Sequence, residues 1–229
     1  MSDSIHYSDT FKGLPVVQHE GPFHTPVLEQ LLDSLVNRPG HSGRTYTIRL
    51  NLSQPERVFG YPHGLMKAFK TRFMSELRWA GLPQHKDDTG YYSDRVHLIY
   101  HEAQDISSDA PIYQLVIIMD AEIYEGLIET SSALLERVQM AWCYALKMDM
   151  FFPGEFVKLS RNHTSVLDKS QMSYWNDLAH IFERLSFLAR LSPFEAMHLR
   201  HLGFSTGLAS GACRPVPDNS AQGTRRMNP

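Results

Sequence analysis

The stretch PIYQLVIIMD, Pro111 to Asp120, constrains the chain most, because a run this short and this rich in β-branched and aliphatic residues belongs in a buried strand. Just before it, RVHLIYHEAQ carries a second strand pattern, and the intervening DISSDA suits an antiparallel hairpin at the centre of a sheet. Period two puts Val96, Leu98, Tyr100 and Glu102 on one face of the first strand, with His97, Ile99 and His101 on the other. On the second strand Ile112 and Gln114 share a face opposite to Tyr113 and Leu115. Glu102 and Gln114 are accordingly expected to meet across the pair.

Helical patterns surround this hairpin. HTPVLEQLLDSLVNRPG has Thr25 as N-cap, Pro26 at the first helical position, an apolar stripe of Leu28, Leu31, Leu32 and Leu35, and a Pro-Gly stop. Thr45 to Leu52 reads as a strand. HGLMKAFKTRFMSELRWAGL then places Leu65, Phe69, Phe73, Leu77 and Trp79 along one side, with Lys67, Lys70, Arg72 and Arg78 largely elsewhere. After the hairpin come a short helix AEIYEGL and a longer one, SSALLERVQMAWCYALKM, whose Leu134, Val138, Trp142 and Leu146 recur every fourth residue. A short strand FVKLS follows. The last helix, SQMSYWNDLAHIFERLSFLARL, has Leu178, Ile181, Phe182, Leu185 and Leu188 as its core side.

The expected fold is α+β, a small mostly antiparallel sheet flanked by helices, in one domain over residues 24–206. Residues 1–23 and 207–229 are polar and Gly/Pro-punctuated, so both are expected to be flexible. No apolar run is long enough for a membrane span and the first residues lack a signal-peptide pattern, so a cytoplasmic location is the expectation. Cys143 and Cys213 fit neither a disulfide framework nor a metal spacing and are read as free thiols. The formal net charge of −3 does not advertise a nucleic-acid partner, and the twelve histidines are scattered through the chain.

Phosphate loops, GxSxG elbows, HExxH and CxxC are all absent from the sequence. What stands out is an order of short words: Arg49-Leu50-Asn51-Leu52 ending one strand, Glu102 near the end of the next, Ile112-Tyr113-Gln114 opening LVIIMD, Ala141-Trp142 in a helix, and RLSFLAR from Arg184 to Arg190. Over about Pro26 to Ser205 this order resembles the YagK/YfjJ and inovirus replication-initiator family, whose members look like rolling-circle HUH endonucleases. The resemblance implies an HUH-like fold in which the first strand carries an Asp where Asn51 stands. It implies a His-Tyr-His where this chain has Ile112, Tyr113 and Gln114. The last helix would carry a Tyr at Phe187 and a Lys at Arg190.

An HUH enzyme holds a divalent metal with two imidazoles and a further polar ligand, and a Tyr hydroxyl attacks the scissile phosphate. Ile112 cannot ligate, Gln114 offers a neutral carbonyl, and Phe187 has no nucleophilic atom. The positions Ile112, Gln114, Phe187 and Arg190 are therefore degenerate, no catalytic residue, metal site or cofactor is expected, and Glu102 remains the residual metal candidate. Tyr113 or Tyr174 as a substitute nucleophile, and His97 with His101 as a metal pair on the other sheet face, are the conceivable rescues. What survives points to DNA binding through Arg190, Arg184, Arg200, Lys67 and Lys70, with His201 close by in sequence.

The expectation is a catalytically inactive, Rep-like DNA-binding or regulatory protein of phage or mobile-element origin. Its partner would be single-stranded, hairpin or duplex DNA, or a regulatory protein, and a homodimer is compatible with it. An interaction adaptor without DNA binding and a nickase with relocated residues are the alternatives.

Overall fold

The computed structural model describes residues 5–18, 21–37, 43–55, 64–79, 96–104, 111–122, 124, 131–148 and 153–191. Two small ladders open the chain. β1 (Ile5–His6) pairs antiparallel with β4 (Phe23–His24), and β2 (Thr10–Phe11) pairs with β3 (Leu14–Pro15). The β2–β3 turn has Lys12 at φ 49° and Gly13 at φ 83°, the left-handed pair that a two-residue hairpin turn requires. Far from being a mere polar leader, this segment gives Phe11, Val16 and Phe23 to the core.

Helix α1 (Thr25–Val36) follows directly, then β5 (Arg44–Leu52), α2 (Leu65–Trp79), β6 (Val96–Gln104), β7 (Pro111–Asp120), α3 (Ser131–Leu146), β8 (Val157–Asp168) and α4 (Tyr174–Leu185). The four long strands form one antiparallel sheet in the order β6, β7, β5, β8. The α+β expectation holds. Of the hairpin, β7 is central, whereas β6 lies at an edge.

Each sheet face has its own core. Tyr46, Ile48, Leu50 and Leu52 of β5 with Tyr113, Leu115, Ile117 and Met119 of β7 pack under α2 and α3. The opposite face presents Val116, Ile118, Ile99 and Leu167 to α1, α4 and the N-terminal segment. On the first face Trp142 is fully buried, edge-on to Phe69 at 5.8 Å and Tyr113 at 5.7 Å, and its indole N–H donates to the Ser53 carbonyl at 2.8 Å. Glu76 ties α2 to α3: its buried carboxylate lies 2.5 Å from Arg72 and 3.8 Å from Arg137. Cys143 is a buried free thiol.

Four sequence expectations change. His24, not Thr25, is the N-cap of α1, so Pro26 sits one position further in. The strand read as FVKLS continues to Asp168, because RNH, which looks like a loop, is a bulge in an edge strand. The last helix stops at Leu185 and tightens into a 3-10 turn over Ser186–Ala189. There the Ser186 hydroxyl donates back to the Glu183 carbonyl at 2.7 Å and accepts the Val17 N–H at 2.8 Å, local bonding that competes with the helical ladder. The fourth change is register. Glu102 pairs with Tyr113 while Gln114 pairs with His101, so Glu102 and Gln114 lie on opposite faces. The stretch AEIYEGL begins with a turn and then leaves the described residues. Among the described residues, no helix is long and apolar enough to cross a membrane.

Two outcomes follow from this packing. Trp142→Ala should lower unfolding free energy by about 3–5 kcal/mol, seen as a drop in urea midpoint at constant m. Buried His24 sits at the N-terminus of α1 with Nδ1 unpartnered among the described residues, and burial lowers its pKa. The unfolded state then binds more protons below about pH 6.5, so the His24 contribution to stability is intact above that pH and declines as pH falls through it. His24→Gln should flatten that limb of a Tm-against-pH curve relative to the parent protein.

Candidate functional site

Antiparallel register assembles a polar row that no single strand displays. Asn51 faces Lys158 on β8 and Gln114 on β7, and Gln114 faces His101 on β6. The row Lys158, Asn51, Gln114, His101 thus crosses all four strands, on the face that packs toward α1 and α4. Lys158 is exposed and the other three are half-buried. Neither the Asn51 nor the Gln114 amide makes a side-chain hydrogen bond among the described residues.

One strand step inward from Asn51 stands Arg49, paired with Val116. Its guanidinium lies 4.6 Å from the centre of the Phe187 ring, a cation–π distance. The 3-10 turn brings Phe187 there, because a continued α-helix would have rotated it elsewhere. Arg49 Nε is buried without a hydrogen-bond partner among the described residues. Burial first, and then the positive charge of Arg184, press its pKa below the usual guanidinium value. Arginine does not surrender its proton near neutral pH, so the relief open to this half-buried pair of like charges is an anion.

Arg184 is itself fixed from α4. One terminal nitrogen donates to Ser165 Oγ at 3.1 Å and the other donates to the carbonyl of Asn162. Asn162, at φ 51°, lies in the β8 bulge, where register against β5 jumps between Ile48 and Leu50. The bulge opens β8 beside Arg49.

The structure brings together only some of the sequence-predicted residues. Gln114 lies on this face with Ile112, which pairs with Ala103, and Phe187 and Arg184 stand over the same face. Arg190 ends the 3-10 turn with its side chain exposed and its backbone bridged to Phe23. Glu102 is on the other face; dense neighbouring protein raises its carboxyl pKa although the residue is largely open to solvent. Lys67 and Lys70 ride on α2, across the sheet from Arg184, and so belong to a different surface. Arg200 and His201 lie outside the described residues.

The substitute groups fare no better. Tyr113 is buried beside Trp142, and Tyr174 begins α4, a full helix length before Phe187. His97 and His101 share the Gln114 face, not the opposite one, but four residues of extended strand separate them by about 13 Å, too far for one ion. No group of three His, Cys, Asp or Glu side chains suited to a metal occurs among the described residues. Sequence reasoning missed Lys158 and the role of His101, since both depend on pairing register, and it used Arg49 only as part of a word.

A family model, the YagK/YfjJ C-terminal domain, matches residues 7–204. The chain belongs to that family. No curated protein and no solved structure matches it. The span of the YagK/YfjJ domain begins just after β1 and includes β2, β3 and β4, consistent with the contribution of Phe11, Val16 and Phe23 to the core. In this YagK/YfjJ domain the bulge and the arginine pair are mechanically linked. Arg184→Ala should accelerate amide hydrogen exchange over residues 161–165 while costing about 1 kcal/mol globally.

Proposed function

We propose that this protein is a catalytically inactive, Rep-like DNA-binding or regulatory domain that engages DNA on the Gln114 face of its sheet. The observation that carries the reading is the Arg49 and Arg184 pair: among the described residues Arg49 Nε has no hydrogen-bond partner, and the charge that acts on it is the like one of Arg184. Lys158 at the end of the polar row adds a third cation on the same face. The family resemblance adds that this is the face where an HUH endonuclease would hold its metal and Tyr. Here those positions carry Ile112, Gln114 and Phe187, which supply neither an imidazole nor a hydroxyl, so the DNA is held without being cut. A mobile-element origin and a role at a promoter or origin-like sequence extend the same reading.

Binding of a fluorescent single strand should weaken linearly in log–log form as salt rises, and Arg49→Ala, Arg184→Ala or Lys158→Ala should each shrink the slope by about 0.7. A salt-independent affinity would overturn the proposal. So would a covalent protein–DNA adduct formed with manganese, which would restore the nickase reading.

A second reading has its own support. Met172 and Trp175, at the start of α4, are largely exposed apolar side chains, as a protein-contact surface would present. Under that reading the protein is an adaptor, and Trp175→Ala rather than Arg49→Ala would abolish its regulatory effect.

A further inference from the structure

We infer that the Asn51 and Gln114 pair reads the edge of an unpaired adenine in the bound strand, with the Phe187 and Arg49 stack as its side wall. This rests on the DNA-binding reading above but goes beyond phosphate attraction. The two amides are cross-strand neighbours, half-buried, and without side-chain hydrogen bonds among the described residues. Phosphate accepts hydrogen bonds only, so arginines and lysines serve it best. A carboxamide offers one donor and one acceptor side by side, the pattern of a base edge.

Adenine suits that pattern twice. Its N7 and N6 form a matching acceptor and donor on the Hoogsteen edge, and N1 and N6 do so on the Watson–Crick edge, so one adenine can satisfy both amides, whereas cytosine, thymine and guanine offer an adjacent donor and acceptor on the Watson–Crick edge but not on the Hoogsteen edge. The ligand must also be unpaired. Base edges inside a duplex are reached by elements that protrude into a groove, whereas Asn51 and Gln114 lie half-buried on a sheet face next to the Arg49 and Phe187 stack. A base leaving its stack finds an apolar wall in Phe187 and a planar cation in Arg49, while Arg184 and Lys158 remain for the flanking phosphates.

The test uses the full chain and labelled twelve-residue strands of dA, dT and dC, read by fluorescence anisotropy at fixed salt. Oligo-dA should bind at least tenfold more tightly than oligo-dT. In Gln114→Met, a near-isosteric change, that preference should fall below twofold. Asn51→Leu provides the same readout if the first variant folds poorly by circular dichroism, and the comparison of dA with dT needs no variant. Equal affinity for all three strands, with a normal salt slope, would overturn base reading while leaving the DNA-binding proposal standing. No binding to any strand would remove both. Free AMP binding as tightly as oligo-dA would overturn a strand as the ligand.

Discussion

The pairing of β5 with two partners governs this molecule. β5 is held by β7 on one side and β8 on the other, and its side chains alternate between two separate cores. Ile48, Leu50 and Leu52 fill one of them, so a one-residue slip would drive Arg49 and Asn51 under α2 and α3 and expose the leucines. Burying a single aliphatic side chain of this kind is worth about 1.5–3 kcal/mol, and three move together. The hydrophobic alternation that builds the α2 and α3 layer thereby also holds Arg49, Asn51 and Gln114 in fixed positions on the far face.

That far face is uneven along its length. Toward Thr45 and Thr47 the rows carry Ile118, Val116, Ile99 and Leu167, and α1 and α4 close over them. Toward Leu52 the rows turn polar, and among the described residues the 3-10 turn is the last element on that side. Ser186 is the hinge of this arrangement: fully buried, it bonds to Glu183 in its own helix and to Val17 in the N-terminal segment. The N-terminal segment therefore shapes the site from a distance, since Val17 and Phe23 hold the turn that aims Phe187 at Arg49.

Periodicity made most of the fold legible. The amphipathic stripes of α1, α2 and α3, the alternation of β6 and the apolar run of β7 all appear as expected, because each answers to short-range rules. What failed was non-local. Whether Gln114 faces Glu102 or His101 depends on hairpin register through a connection that single-strand alternation does not specify. β8 was read at less than half its length because an edge strand tolerates Arg161, Asn162 and His163, which carry no strand signal. The helix end at Leu185 was hidden for a related reason: the bond that favours the turn comes from Val17, 169 residues away. Of the four positions singled out by family resemblance, Ile112, Gln114 and Phe187 lie toward one face, while Arg190 is exposed at the end of the 3-10 turn with its backbone bridged to Phe23.

The net charge of −3 bears on how such a face would work. A chain with an acid excess produces little long-range attraction for a polyanion, and at physiological salt fields fade over about 8 Å. Encounter is then unaided, and affinity must come from groups that act at contact distance. Half-buried arginines do this well, because they are partly stripped of water before the ligand arrives and salt screens them less than exposed lysines. Neutral amides gain by the same setting. Asn51 and Gln114 are neutral and contribute no steering, and on the proposed reading their hydrogen bonds would depend on the base presented to them. On the proposed DNA-binding reading, a weakly charged protein with half-buried arginines beside half-buried amides would favour selectivity over indiscriminate phosphate binding, the opposite balance from that of a strongly basic DNA-coating protein.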